Sequence, residues 1–131
     1  MEVPVILSRI IISETSEQQI IVLKEAGGER AFPIVIGITE ALAIDRRLKG
    51  IAPPRPLTHD LVANVLDALS AKLEKIVITD LREGTFFAEL TISKDGQTFR
   101  VDSRPSDAIA LGVANDVPIL VEEHVLNEVT G

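Results

Sequence analysis

The sequence predicts an α+β domain: a mixed, largely antiparallel sheet of six or seven strands carrying three to four helices. Three observations lead there. The hydrophobic period is two up to Gly37 and moves towards 3.6 after it. The order is strands, then helices, then a meander, which is not the strict alternation of a doubly wound fold. Gly27-Gly28, Arg82-Glu83-Gly84 and Asp95-Gly96 punctuate the strand-like runs as hairpin turns. No Ser/Gly linker or low-complexity tract divides residues 1–131, so a single domain is expected.

The first strand falls within Val3 to Ser13. There Val5, Leu7 and Ile11 point one way and Ile6, Ile10 and Ile12 the other, the pattern of a strand covered on both faces or lying in a subunit interface. Gln18 to Lys24 and Arg30 to Ile36 follow as strands. A helix is expected after Gly37, with Thr39 as N-cap and Glu40 where the helix dipole favours a carboxylate. Ala41, Ile44 and Leu48 would form its buried stripe and Gly50 its stop. Ala52-Pro53-Pro54-Arg55-Pro56 is a stiff extended connector, since proline lacks a donor and restricts the residue before it.

Thr58 is the expected cap of a second helix, with Leu61, Val62, Val65, Leu66 and Leu69 as its buried stripe. Strands are then expected over Lys75 to Leu81, Thr85 to Ile92 and Thr98 to Asp102. A third helix starts near Arg104 and packs through Ala108, Ile109, Leu111 and Gly112. Pro118 to Val121 and Glu122 to Glu128 read as a short strand and a short helix.

The composition narrows the function classes. With no cysteine, disulfides, thiolate zinc sites and cysteine nucleophiles are excluded. No apolar run approaches the roughly 18 residues that span a bilayer, and the start has neither the basic nor the apolar part of a signal peptide. A cytoplasmic protein with no membrane partner is expected. Four phenylalanines, with no Trp or Tyr, leave few platforms for stacking bases. A net charge of -7 disfavours nonspecific phosphate-backbone binding. No zinc spacing, Walker loop, dinucleotide fingerprint or nucleophile elbow occurs.

One pattern occurs twice. Arg55-Pro56-Leu57-Thr58-His59-Asp60 and Arg104-Pro105-Ser106-Asp107 each place Arg-Pro, a hydroxyl and an aspartate at a helix start. Proline in the first turn, a hydroxyl cap and an acid against the dipole account for both as structure alone. The same groups also make an anion site: Arg55, Thr58, Arg104 and Ser106 are candidates for binding phosphate. His59, Asp60 and Asp107 are the catalytic candidates, with the imidazole as general base or acid. Asp102, Asp107 and Asp80, near strand ends, are candidate ligands of Mg²⁺ or Mn²⁺. Salt bridges to Arg55, Arg82 and Arg104 explain those carboxylates equally well. Glu40 and Asp45 do not share a helix face, and His124 reads as a surface residue.

Four segments carry a resemblance. Pro33 to Gly37, Arg55 to Leu61, Val77 to Leu81 and Val101 to Leu111 are similar, in order, to segments of the bifunctional nuclease domain family, across roughly residues 3 to 125. Val35 stands where that family often has an aromatic, and Ser103 where it often has Ala. The resemblance implies an α+β fold, a homodimer and a nuclease acting on DNA and RNA. It carries no catalytic residue set, only the placing of Arg55, Thr58, His59, Asp60, Asp102, Arg104, Ser106 and Asp107 in signature motifs. The alternative reading is a noncatalytic dimeric binding or regulatory module with an anion or small-ligand pocket at the same helix starts. A third is that the motifs merely cap helices and lock a dimer. All the functional readings require the two Arg-Pro starts to meet at one hollow.

Overall fold

The computed structural model describes residues 1–131 as one seven-stranded sheet with four α-helices, as the periodicity predicts. Its first three strands, β1 (Glu2–Ile11), β2 (Gln19–Glu25) and β3 (Ala31–Ile36), lead into helices α1 (Ile38–Leu48) and α2 (Thr58–Ala68). The meander β4 (Lys72–Arg82), β5 (Thr85–Lys94) and β6 (Gln97–Ser103) precedes α3 (Pro105–Gly112). The short strand β7 (Ile119–Glu122) and α4 (Glu123–Thr130) close the chain. No helix is long and apolar enough to cross a membrane.

The strand order is β3-β2-β1-β7-β4-β5-β6. β7 joins the halves, antiparallel to β1 and parallel to β4, with Val121 opposite both Val3 and Ile78. That single parallel pair makes the sheet mixed. The two hairpins of the meander turn on Glu83-Gly84 and Asp95-Gly96, all four residues at φ between +50° and +79°. Consecutive left-handed residues match the twist of the flanking strands.

Helices α1, α3 and α4 share one core with the sheet. Ile44, Ile109, Val125 and Leu126 meet Ile21, Leu23, Phe32 and Ile78 there. β3 buries alternate residues, Phe32, Ile34 and Ile36. α3 packs tightly on the sheet: a Cβ on Gly112 would stand 2.7 Å from Ile76 Cδ1 and 2.9 Å from Val117 Cβ. The small-residue face expected of α3 is therefore a steric requirement.

The expectation for β1 is corrected. A bulge between Leu7 and Arg9 shifts its phase, so Leu7 and Ile10 both pack on the core while Ile6, Ile11 and Ile12 face water. In the single chain one face of β1 is therefore open. Neither threonine caps its helix: the N-caps are Gly37 and Leu57, and Thr39 and Thr58 lie in the first turns. In α1, Ala41 and Ile44 are buried as expected, but Leu48 is 54% exposed and Arg47 takes its place on the inner face. In α2 only Leu66 of the expected stripe is even half-buried. No residue of that helix is buried, and Leu61, Val65 and Leu69 face water.

What fixes α2 is polar. The Asp60 carboxylate accepts from Arg47 Nη1 at 2.6 Å and from the Leu57 backbone N–H at 2.9 Å, and Arg46 Nη2 stands 3.2 Å away. Arg47 also donates to the carbonyls of Ala110 at 2.6 Å and Leu111 at 3.2 Å, satisfying backbone oxygens near the end of α3. One guanidinium thus ties together three helices. At the far end of α2, Lys94 Nζ donates to Leu69 O at 2.7 Å.

The Leu57 N–H, and then the two arginines against the cost of burial, hold the Asp60 carboxyl below its ordinary value. A depressed carboxyl contributes stability that is complete above its unfolded pKa of about 3.9, and acid removes it as pH falls through the folded value. Asp60→Asn should destabilise the fold by about 3 kcal/mol in urea titration at pH 7. The gap from wild type should begin to narrow below about pH 4 and close only once the pH has fallen through the depressed folded value, where both proteins carry a neutral group at this position.

Candidate functional site

The two Arg-Pro helix starts meet. His59 Nε2 lies 2.9 Å from Asp107 Oδ1, bonding the first turn of α2 to that of α3. The other oxygen, Asp107 Oδ2, accepts from Arg104 Nε at 2.8 Å. Arg104 reaches on to Glu40 Oε1 in the first turn of α1, at 3.4 Å. Three helix N-termini therefore stand around one chain of polar contacts, His59–Asp107–Arg104–Glu40. Each terminus presents backbone N–H groups without partners in its helix, and positive potential with them.

Local sequence explains the convergence. Pro105 opens α3, so Asp107 falls on its third residue, on the side where α2 arrives. Asp60 holds the same position in α2 but turns inward to Arg47, and its neighbour His59 is directed at Asp107. The two aspartates are equivalent in motif and opposite in use.

Beside this chain of contacts lies an open hollow of about 1300 Å³. Arg55, Thr58, His59, Arg104, Asp107, Thr39 and Glu40 form its polar part, and Leu42, Ala43, Ile51, Leu57, Leu61, Val62 and Leu111 its aliphatic part. Arg46 and Asp45 complete the ionic lining, giving three arginines and three carboxylates. The hollow is locally balanced although the chain carries -7. Arg55 is the one arginine of the three with no carboxylate partner, since Arg46 holds Asp60 and Arg104 holds Asp107 and Glu40.

Side-chain exposure falls from Arg104 at 65% through Asp107 at 31% to His59 at 12%. Burial pushes the Asp107 carboxyl up, but Arg104 and His59 together outweigh it and hold it below the ordinary carboxylate value. Asp107 in turn raises the Arg104 guanidinium. Asp107 is thus an anion at neutral pH, fixed between two donors. The second nitrogen of His59, Nδ1, makes no hydrogen bond within the protein.

Other candidates lie elsewhere. Asp60, a catalytic candidate, is committed to Arg46, Arg47 and the Leu57 N–H. Ser106 is buried and lines an adjoining groove with Pro33, Gly37 and Thr85, which shares Glu40 and Arg104 with the hollow, whose own lining does not include Ser106. Asp80 is held low by Arg82 and the Leu81 N–H and lies 3.6 Å from His124. Asp102 stands exposed on β6 opposite Glu89. Asp80, Asp102 and Asp107 therefore form no common ligand set, and no three His, Asp or Glu side chains are grouped to hold a metal ion. A divalent cation needs several converging oxygens, so this donor set does not fit one.

Glu40 and Arg47 belong to the site or its support, and their motifs do not announce them. Glu40 could have been found from its position, since all three entrances carry an acid on the third helical residue: Glu40, Asp60 and Asp107.

With Asp107 Oδ1 as acceptor, neutral His59 must carry its proton on Nε2. Long-range ¹H–¹⁵N spectra should show the Nε2–H tautomer in wild type, and Asp107→Leu should move the Nε2 and Hε2 resonances as that hydrogen bond is lost and speed exchange of the Nε2 proton with water.

Comparison with known proteins agrees with the signature segments. A family model described as the bifunctional nuclease domain matches residues 21–130. An uncharacterised protein of Mycobacterium tuberculosis is 44% identical over 117 residues, covering 89% of this chain and 70% of its own length. Bifunctional nuclease 1 of Oryza sativa subsp. japonica is 26% identical over 118 residues, 87% of this chain and 36% of the rice protein. Bifunctional nuclease 2 of Arabidopsis thaliana is 29% identical over 109 residues, 80% of this chain and 33% of its own. The chain thus spans about a third of each plant relative.

Proposed function

The chain belongs to the bifunctional nuclease domain family, and from that membership and the geometry of the hollow we propose that it hydrolyses phosphodiesters of DNA and RNA. The observation that carries this reading is the His59–Asp107 contact of 2.9 Å at an open hollow, with Arg104 on the same carboxylate and Arg55 unpaired nearby. Asp107 accepts from Nε2 and fixes the imidazole ring. Nδ1 takes a proton from water as the water oxygen bonds to phosphorus. The ester P–O bond breaks, and the proton passes to the departing oxygen. Arg55 and Arg104 hold the charge that develops on the phosphoryl oxygens. The N–H groups of the helix entrances support the same anion. Because the acidic candidates form no ligand set, no step here is assigned to a metal; Mg²⁺ and Mn²⁺ enter as variables of the assay.

In purified protein assayed on single-stranded RNA and DNA with and without Mg²⁺ or Mn²⁺, His59→Ala and Asp107→Ala should each lower the rate about 100- to 1000-fold. Arg55→Ala should act mainly on KM. Full rates in both of the first two variants would refute the assignment.

A second reading has its own support. The aliphatic half of the hollow and the internal pairing of Asp107 suit a binding module for an anion with an apolar part. Calorimetric titration with nucleotides and phosphorylated metabolites separates the two: binding with no turnover favours the module. Under either reading we place the protein in the cytoplasm as a homodimer.

A further inference from the structure

Ser106 is 5% exposed, and its hydroxyl finds no hydrogen-bond partner in the protein. A buried hydroxyl without a partner costs stability, and alanine would serve the packing of this small-residue helix equally well. Only Arg46 Nη2 and Glu123 Oε2 are sealed from water without a partner, so water still reaches the Ser106 oxygen. It does so from the groove that Ser106 lines with Pro33, Gly37, Glu40, Thr85 and Arg104.

That groove encloses about 400 Å³, within the size of small-ligand sites, roughly 300–1,000 Å³. Two helix entrances open into it. No side chain caps α1 or α3, whose first helical bonds run from Ala41 N–H to Gly37 O and from Ala108 N–H to Arg104 O. The N–H of Ser106 therefore has no carbonyl of its own helix to donate to. Arg104 adds a cation, 65% exposed, of which only Nε and Nη1 are engaged. The Glu40 carboxylate lies at the seam between groove and hollow, folded over Gly37, where a Cβ would stand 2.7 Å from Oε1. Its contact with Arg104 is 3.4 Å, against 2.8 Å for Asp107, so it is the one an incoming anion can displace.

We propose that this groove is a second anion site, and that it takes the phosphate next to the scissile one on a polynucleotide strand. Glu40 and Arg104 are common to groove and hollow, so a strand crossing Arg104 touches both. Ser106 and Asp107, neighbours in the first turn of α3, line one chamber each. The Ser106 hydroxyl and N–H and the Arg104 guanidinium donate to the phosphate oxygens. Two other depressions share lining with the hollow, and neither suits phosphate. One, past Leu111, sets Asp67, Glu74 and Asp116 against Lys72. In the other, Arg46 and Arg47 are committed to Asp60. The part played in polynucleotide cleavage rests on the nuclease reading; the anion site does not.

Amide ¹H–¹⁵N spectra of the full chain, titrated with inorganic phosphate, read the site without any substrate. Gly37, Thr85 and Ser106 should shift together, and Ser106→Ala should weaken that titration about 10-fold while Thr58 and His59 keep their wild-type course. Because the hydroxyl has no partner in the fold, the thermal midpoint of Ser106→Ala should equal or exceed that of wild type. Hydrolysis reads the substrate assignment. The kcat/KM for a dinucleoside monophosphate should rise about 10-fold when a terminal phosphate is added at its 5′ or its 3′ end, and Ser106→Ala should remove that gain. Shifts confined to Thr58 and His59, or a groove titration that Ser106→Ala leaves unchanged, overturn the anion site. A lowered midpoint in Ser106→Ala does so too, since the hydroxyl would then be bonded within the fold. Phosphate bound in the groove with no gain from a terminal phosphate at either end overturns the polynucleotide assignment alone. Absence of all hydrolysis overturns the nuclease reading, and the polynucleotide assignment with it, while the titration still decides the anion site.

Discussion

The pairing of Arg47 with Asp60 is the constraint on which the rest of the site depends. α2 contributes no fully buried residue to the core, only the half-buried Ala63 and Leu66, so the polar groups at its ends weigh heavily in its position. At 9% and 16% side-chain exposure the pair is not a surface salt bridge of the kind that contributes little. It belongs to the buried class, where loss of one partner strands a charge. Such pairs persist only when the remaining hydrogen-bonding capacity is satisfied. Here the Ala110 and Leu111 carbonyls and the Leu57 N–H do that. With Asp60 held, the residue before it, His59, meets Asp107.

Much of the fold was legible because strands and turns declare themselves locally. The period-two runs, the left-handed Glu83-Gly84 and Asp95-Gly96 pairs and the small-residue face of α3 follow from residue-level sterics. The failures are specific. In α1, positions 47 and 48 both continue the stripe begun by Ala41 and Ile44, and hydrophobicity selects Leu48. The structure selects Arg47, because the carbonyls of α3 and the carboxylate of α2 wait there. Nothing local to α1 encodes those partners. In β1 an apolar run on both faces predicts cover on both sides, but a bulge moves the phase and leaves Ile6 outside. In α2 the apolar stripe is present as a pattern but does not mark a core, since periodicity says that a face is apolar and not what covers it.

The site shows the same division. That the two Arg-Pro motifs would converge could be argued from the motifs, and they do. That the two Asp residues would part company, one to an internal arginine and one to the histidine, could not, because both occupy the third position of a helix. The discriminating partner, Arg47, is 13 residues from one aspartate in sequence and is invisible to any local pattern.

Net charge was an equally blunt guide. A total of -7 argues against phosphate as a ligand, yet the hollow sets three arginines against three carboxylates and adds three helix entrances. Over a few ångströms the sign of the nearest groups outweighs charges beyond a Debye length, roughly 8 Å at physiological salt. Arg55, the uncommitted cation, is therefore a better indicator of what enters than the sum over the chain. The local rules that fail here, an apolar stripe left in water and an arginine inside a helix packing face, both occur within one or two residues of the hollow or of the pair that positions it. Exceptions to core-forming logic concentrate where a surface has some other use. In this molecule the exposed stripe and His59 lie on the same helix, and Arg47 holds the aspartate next to that histidine, so the exposed stripe of α2 is better understood as part of the site than as a defect of the core.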